Sequence, residues 1–182
     1  MDDSCHTALD LDAAGVRVAT VVQVRVASLR YFDRGGRFGS ALEQALGEPL
    51  PRAQRAVLAA PGRDAQTLLA WRSPTETLLL CGSGATFAEL EQRLADAGDG
   101  YVVDQSGGIC VFRVQGERAA EFLQRCAAST AIPALGEARG GRMAELHVLT
   151  ACVQAGEFLV FVERVYTAHL ADWMRATAAD FS

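Results

Sequence analysis

The chain has 182 residues and a formal net charge of -5, and all 17 of its basic residues are arginines. The acidic balance excludes a general nucleic-acid binder, which needs concentrated positive charge, and the absence of lysine excludes Schiff-base and P-loop lysine chemistry. No apolar run approaches the roughly 20 residues of a membrane span, and the acidic start has no signal-peptide pattern. We therefore expect a cytoplasmic protein that does not enter a membrane.

The first half of the chain is predicted to combine several strands with two helices. Residues 1–14 lack a regular pattern and are expected to form a frayed tail, and the valine-rich stretch 15–32 is typical of a long strand with a break near Thr20. Ser40 begins a capping-box pattern at the start of an amphipathic helix that Gly47 ends. The further predicted elements are strands at 56–60, 67–71 and 76–81, a turn at Ser73-Pro74, and a helix with its capping box at Thr86.

The second half is predicted to repeat this mixture of strands and helices. The stretch 101–129 changes from the period of two that is typical of strands to the period of 3.6 that is typical of a helix. An irregular surface connection is expected at 127–141, which is rich in glycine. Residues 142–155 indicate one long strand or a hairpin with a poor turn signal. A strand at 157–164 and a terminal helix that begins at Thr167 follow.

This order of elements indicates an α+β fold made of two split β-α-β (ferredoxin-like) halves in tandem. The helices are expected to lie on one side of mainly antiparallel sheet. We predict one domain over residues 15–182, with halves at about 15–100 and 101–182.

Several segments resemble known families. Residues 102–106, 109–111 and 114–123 are similar to the Asp-x-Ser pair, strand, glycine and Phe-Leu helix of folate-binding aminomethyltransferase-like (GcvT-like) domains. The segments 26–51, 68–80 and 158–174 resemble the gamma subunit of heterotetrameric sarcosine oxidase. The segments together cover most of the chain beyond the expected tail.

The resemblance implies a GcvT-like fold of tandem ferredoxin-like halves and a non-catalytic accessory subunit of an oxidoreductase complex. Such a subunit packs against the flavoprotein subunits of an amine oxidase and binds no cofactor itself, because the other subunits carry the flavins and the folate site. Folate-binding members have an acidic residue just after the Phe-Leu helix. Here residues 127–131 read Ala-Ala-Ser-Thr-Ala, which weakens a folate role and also departs from the usual gamma-subunit pattern.

Asp104 and Ser106 match the Asp-x-Ser pair of the family signature, and they are therefore the candidate cofactor-binding residues. A structural interpretation is equally available, because an Asp-x-Ser sequence before a Gly-Gly turn favours an Asx turn. The structural interpretation is the one that we prefer from the sequence.

The other polar and sulfur-containing residues do not combine into a catalytic or metal-binding pattern. The five cysteines are scattered without a C-x-x-C pair, and those in apolar strand-like runs are expected to be buried and inert. Glu145 and His147 share one face of a predicted strand, which fits an acid–base pair or simply a polar exposed face. His169 is expected at the surface of the last helix.

Three hypotheses about function follow. The first is an accessory subunit of a sarcosine oxidase-type complex. The second is a stand-alone binder of tetrahydrofolate or a related small ligand, such as a one-carbon transferase. The third is an interaction domain that self-associates into a homo-oligomer. The resemblance favours the first.

Overall fold

The computed structural model describes residues 8–59, 67–82, 84–127 and 129–181. In chain order the elements in these ranges are β1 (Asp10–Ala13), β2 (Val16–Thr20), β3 (Arg25–Tyr31), α1 (Arg37–Leu46), β4 (Ala56–Leu58), β5 (Leu68–Ser73), β6 (Glu76–Cys81), α2 (Gly84–Leu94), β7 (Gly100–Asp104), β8 (Ile109–Gln115), α3 (Ala119–Cys126), a 3-10 helix (Ser129–Ala131), β9 (Ala138–Met143), β10 (Leu146–Gln154), β11 (Glu157–Glu163), a second 3-10 helix (Arg164–Tyr166) and α4 (Thr167–Ala179). Across the described ranges, no helix is both long and apolar enough to cross a membrane.

The chain divides into two compact units. The central unit spans Gln23–Ser106, and the terminal unit combines Met1–Val22 with Gly107–Ser182. Each unit has its own sheet, and all the strand pairs in both sheets are antiparallel. The predicted α+β class with mainly antiparallel sheet is therefore confirmed.

The central unit has the strand order β4-β5-β6-β3-β7. Its four longer strands follow one another in the chain as β3, β5, β6 and β7, and α1 and α2 lie in the two connections of a split β-α-β unit. The two helices contact each other and cover one face of the sheet, where Leu29, Phe38 and Leu90 belong to one buried cluster. Burying such a side chain contributes roughly 1.5–3 kcal/mol.

The terminal unit has the strand order β1-β2-β8-β11-β10-β9. Here β8, β10 and β11 occupy the places that β3, β5 and β6 occupy in the central unit, and β9 lies at the same edge as β4. In the central unit β7 pairs with β3, and in the terminal unit β2 pairs with β8 at the equivalent position. A second buried cluster lies between this sheet and helices α3 and α4, with Phe112, Phe122 and Met174 among its members.

The two units thus repeat one arrangement of strand, helix, edge strand, hairpin and helix. The repeat extends to a detail of the hairpins. The register of β5 and β6 shifts between Trp71 and Ser73, and the register of β10 and β11 shifts between Cys152 and Gln154. In each unit a glutamate, Glu76 or Glu157, begins the return strand.

The two sheets bury residues on the face away from their helices as well. Val26, Leu78 and Leu80 in the central unit, and Leu159 and Phe161 in the terminal unit, are all buried outside the two helix-facing clusters. This explains why β6 and β11 are nearly continuous apolar runs in the sequence rather than alternating ones.

Helix α1 is capped in a different way from the sequence prediction. It begins at Arg37, before the predicted capping box at Ser40, and its N-cap residue Gly36 provides no side chain. The carboxylate of Asp99 instead accepts hydrogen bonds from the backbone N–H groups of Arg37 (2.7 Å) and Phe38 (2.6 Å). A carboxylate at this helix end is favoured by the exposed N–H groups and the helix dipole.

The N-terminal prediction needs correction where the structure describes it. Residues 10–13 are not frayed: they form β1, which pairs with β2, and Leu9 is buried. Residues 1–7 of the predicted tail lie outside the described residues. The stretch 15–32 is broken after Thr20 as predicted, but its two parts, β2 and β3, belong to different sheets.

The unit boundaries also differ from the predicted halves. The central unit is 23–106 rather than about 15–100, because the hydrogen bonds of β2 with β8 place residues 16–20 in the terminal unit. That the two units make one domain stays a prediction.

The stretch 142–155 is part of a hairpin, and its first strand starts earlier than expected, at Ala138 within the predicted irregular connection. The two turn residues, Ala144 and Glu145, both have positive φ, at 50° and 66°. A two-residue turn of this kind is normally built from Asn or Gly, which explains the poor turn signal in the sequence.

Candidate functional site

Asp104 and Ser106, the candidate cofactor-binding residues, lie at the end of β7. The backbone N–H of Ser106 donates to Asp104 Oδ1 at 2.8 Å, which is the hydrogen bond of an Asx turn. The Ser106 hydroxyl accepts a hydrogen bond from the N–H of Val26 at 3.0 Å, and Gln105 N–H donates to the Val26 carbonyl at 2.8 Å. These contacts tie the turn to the start of β3. A cofactor-binding role for the two residues stays a prediction.

The Glu145–His147 pair is not assembled as an acid–base pair. Glu145 lies in the β9–β10 turn, where its carboxylate Oε2 accepts a hydrogen bond from Arg142 Nη2 at 3.0 Å. His147 lies on β10 opposite Arg142 and is exposed. His169 is also exposed, as predicted, and its Nε2 lies 3.1 Å from the carbonyl oxygen of Ala144, so it connects α4 to the same turn.

The cysteines fit the prediction of buried, inert thiols only in part, because Cys110, in the apolar strand β8, is disulfide-bonded. Cys126 and Cys152 are free thiols, and both are buried, as is Cys81. Burial raises the pKa of the Cys126 thiol to about 11, against a smaller opposite effect of a hydrogen bond with Thr177. Burial also raises the pKa of Cys152. Reactive cysteines have the opposite property, a lowered pKa. Within the described ranges no group of three or more His, Cys, Asp or Glu side chains is placed to hold a metal ion.

The sequence reasoning missed a cluster of charges around one buried carboxylate in the central unit. Glu76 is the first residue of β6, and only 8% of its side chain is exposed. Its Oε1 accepts hydrogen bonds from the Ser28 hydroxyl at 2.6 Å and from Arg72 Nη1 at 3.0 Å. Its Oε2 lies 3.3 Å from Nη2 of Arg30. Both carboxylate oxygens are therefore satisfied, as a buried charge requires.

The two arginines of this cluster extend to the surface. Arg30 and Arg72 have 45% and 43% of their side chains exposed. Arg30 Nε also donates to the Ser28 hydroxyl at 3.1 Å, so one edge of its guanidinium group is held in place. On the other side of β3, Arg30 is the cross-strand partner of Tyr101 in the edge strand β7, and Tyr101 is exposed. We call Tyr101, Arg30, Glu76 and Arg72 the arginine row.

The terminal unit has a related ion pair. Glu157, which begins β11 as Glu76 begins β6, lies with its Oε1 3.2 Å from Nε of Arg113 on β8. This pair has one arginine for one glutamate, so it carries no excess charge. The sequence shows the members of the Glu76 cluster and of the Glu157–Arg113 pair only as separate polar residues in strands. Strand register brings the partners together, and a single sequence does not reveal that register.

Two depressions on the described part of the surface are shallow or open. A groove of about 210 Å³ lies between α1 and α2, beside Leu46, Thr86 and Arg93. A wide depression of about 890 Å³, open to solvent, lies where the turns at Gly15, Gly116 and Gly156 meet. Sites for small ligands usually enclose most of the ligand within a mainly apolar pocket, which neither depression does.

The chain resembles two kinds of solved structure. Among solved structures, the chain is similar to one from "Heterotetrameric Sarcosine Oxidase from Corynebacterium sp. U-96 in complex with pyrrole 2-carboxylate", with a TM-score of 0.79 and 23% identity over 95% of this chain and 88% of that chain. It is also similar to the glycine cleavage system aminomethyltransferase T from Bartonella henselae, with a TM-score of 0.64 and 16% identity over 89% of this chain. This chain covers 46% of that protein, less than half of its length. No curated protein matches the sequence significantly.

The fold defined by these likenesses is that of aminomethyltransferase-like proteins, as predicted. The model of the "Sarcosine oxidase, gamma subunit family" matches residues 33–180. The chain belongs to the sarcosine oxidase gamma subunit family, and the resemblance seen in the sequence is confirmed.

Proposed function

We propose that the chain is the non-catalytic gamma-type subunit of a cytoplasmic, sarcosine oxidase-type complex, in which it packs against flavoprotein subunits. The observation that carries this proposal is the family match over residues 33–180, which covers most of both repeats. In this proposal the chain binds neither flavin nor tetrahydrofolate, and it contributes a folded surface to the assembly.

The residues of the chain support a structural role. Two candidate acidic side chains are used in turns, Asp104 in an Asx turn and Glu145 with Arg142, and His169 lies against the Ala144 carbonyl. Cys126 and Cys152 are buried, and the pKa of Cys126 is raised to about 11, so it is a poor nucleophile.

Exposed apolar side chains on α4 and on the 3-10 helix before it support a role in assembly. Tyr166, just before α4, and Trp173 within α4 are both exposed. Val165, next to Tyr166, is 80% exposed. Aromatic residues are enriched in protein interfaces, where their rings contribute much buried area.

Co-purification tests this proposal. The tagged chain, expressed in the cells that produce it, is purified and passed over a sizing column while flavin absorbance and sarcosine-dependent oxygen uptake are measured in each fraction. We expect the chain to elute with identified flavoprotein subunits and with the activity. The proposal is wrong if the chain elutes apart from an active oxidase, or if tetrahydrofolate raises its melting temperature while no oxidase subunit is recovered.

A further inference from the structure

We propose that the arginine row of the central unit is a docking surface for a carboxylate side chain on a neighbouring oxidase subunit. This inference rests on the proposed function, because it names a surface through which the subunit joins the complex. The occupant is an acidic residue of the partner protein.

The charge of the row is the first argument. Two guanidinium groups share one carboxylate, so the row has an excess of one positive charge in a chain whose net charge is -5. Throughout the described part of the chain, Glu76 is the only carboxylate in an ion pair with Arg30 or Arg72. One arginine together with the Ser28 hydroxyl would satisfy the buried Glu76. Glu76 therefore does not require the second arginine as a counter-charge. The exposed part of the two guanidinium groups remains available to a further carboxylate.

The rigidity of the arginines is the second argument. Arg30 is held by Glu76 and by Ser28, and Arg72 is held by Glu76, while the rest of each side chain is exposed. An arginine that is already fixed loses less conformational entropy when it binds a carboxylate than a free one does. The planar guanidinium also matches a carboxylate in shape and can donate two parallel hydrogen bonds.

The neighbouring aromatic residues are the third argument. Tyr101, the cross-strand partner of Arg30, is 56% exposed, and Phe32, one residue beyond the end of β3, is 86% exposed. Tyrosine, phenylalanine and arginine are the residue types that interfaces concentrate at their centres. An acidic residue of a partner subunit, with apolar side chains around it, would pair with the arginines and pack against Tyr101 and Phe32.

The test measures the affinity of the chain for the oxidase complex that lacks it, purified from cells without this subunit. We expect Arg72→Gln to weaken binding at least about tenfold, because it removes the excess charge while Glu76 keeps Arg30 and Ser28. Arg72→Lys retains the charge and should bind more tightly than Arg72→Gln. The dependence of affinity on salt should also be smaller for Arg72→Gln than for the wild-type chain.

Two further variants make the test decisive. Arg93→Gln is the matched control, because Arg93 pairs with Glu89 on the exposed side of α2, and its affinity should equal that of the wild type. Tyr101→Ala is a second test that leaves Glu76 and its partners in place, and we expect it to weaken binding about threefold or more. Melting temperatures of all variants show whether they remain folded.

The outcomes separate the two proposals. If the wild-type chain does not bind the oxidase, the proposed function fails. If the wild-type chain binds, and Arg72→Gln and Tyr101→Ala both bind as tightly as it does, the docking surface is refuted while the proposed function stands.

Discussion

Arg30 on β3 and Glu76 on β6 are cross-strand partners, and Nη2 of Arg30 lies 3.3 Å from Oε2 of Glu76. Ser28, two residues before Arg30, donates its hydroxyl hydrogen bond to the same carboxylate. The cluster is therefore a product of strand register, which places polar residues from β3 and β5 around one buried charge on β6.

Replacing Glu76 with glutamine should destabilise the chain. The change leaves two arginines without a counter-charge and a buried amide that cannot satisfy the same donors. Because both arginines are about half exposed, we expect a loss of about 1–3 kcal/mol in the free energy of unfolding rather than the larger cost of a fully buried pair. Urea denaturation measures it. Glu89→Gln, which breaks the exposed pair with Arg93, is the control and should change the free energy by less than about 0.5 kcal/mol.

Asp99 should stabilise α1 by capping it from a distant part of the chain. Asp99→Ala removes two hydrogen bonds to the backbone N–H groups of Arg37 and Phe38, and we expect a loss of about 1–2 kcal/mol. A Cβ at Gly36 would lie 2.2 Å from Asp99 Oδ2, so Gly36→Ala should also be destabilising. A double-mutant cycle tests the connection: the cost of Gly36→Ala should fall when Asp99 is already alanine. Equal costs in both backgrounds would contradict this capping role.

Gly116, between β8 and α3, should tolerate no side chain. Its φ is 133°, and a Cβ would lie 2.1 Å from the backbone oxygen of Gly15. We expect Gly116→Ala to lower the free energy of unfolding by about 3 kcal/mol or more, since backbone must move to relieve the contact. Gly107→Ala is the matched control, because a Cβ there has no atom within 4 Å. Similar denaturation midpoints for the two variants would show that the turn adapts.

Stability should decrease at alkaline pH through Cys126. Burial raises the pKa of this thiol from 9.0 to about 11, so between these pH values the unfolded chain loses the proton while the folded chain keeps it. The unfolded state is then favoured as pH rises, by up to about 2–3 kcal/mol near pH 11. Tyr31 and Cys152, whose pKa values burial also raises, act in the same direction.

Cys126→Ala isolates this share of the pH effect. Denaturation of the wild type and the variant at pH 8 and pH 10.5 should show a smaller loss of stability in the variant. The same slope for both proteins would mean that the thiol of Cys126 ionises equally in the folded and unfolded states.

Local patterns were enough to predict much of the fold. The apolar stripes of α1 and α3 predicted helices, and the Ser73-Pro74 turn predicted the β5–β6 hairpin, because each depends on neighbours in the sequence. The alternation of Leu9 and Leu11 with Asp10 was too short to predict β1. The acidic residues around it were therefore interpreted as a tail.

Features that depend on distant contacts could not be predicted. The turn at Ala144 and Glu145 has positive φ at two residues that do not favour it, and it is held by His169 and Arg142. Asp99 caps a helix 61 positions away in the sequence. The arginine row likewise needs the register of β5, β6, β3 and β7, so the sequence shows its members only as isolated charges and one tyrosine.

The most direct test of the account is native mass spectrometry of the oxidase purified from the cells that produce this chain. We predict an assembly that contains one copy of the 19.4 kDa chain, and that loses this mass when the chain is deleted. The account is contradicted if deleting the chain leaves the mass of the active oxidase unchanged. It is also contradicted if the chain is found only as a monomer or homo-oligomer.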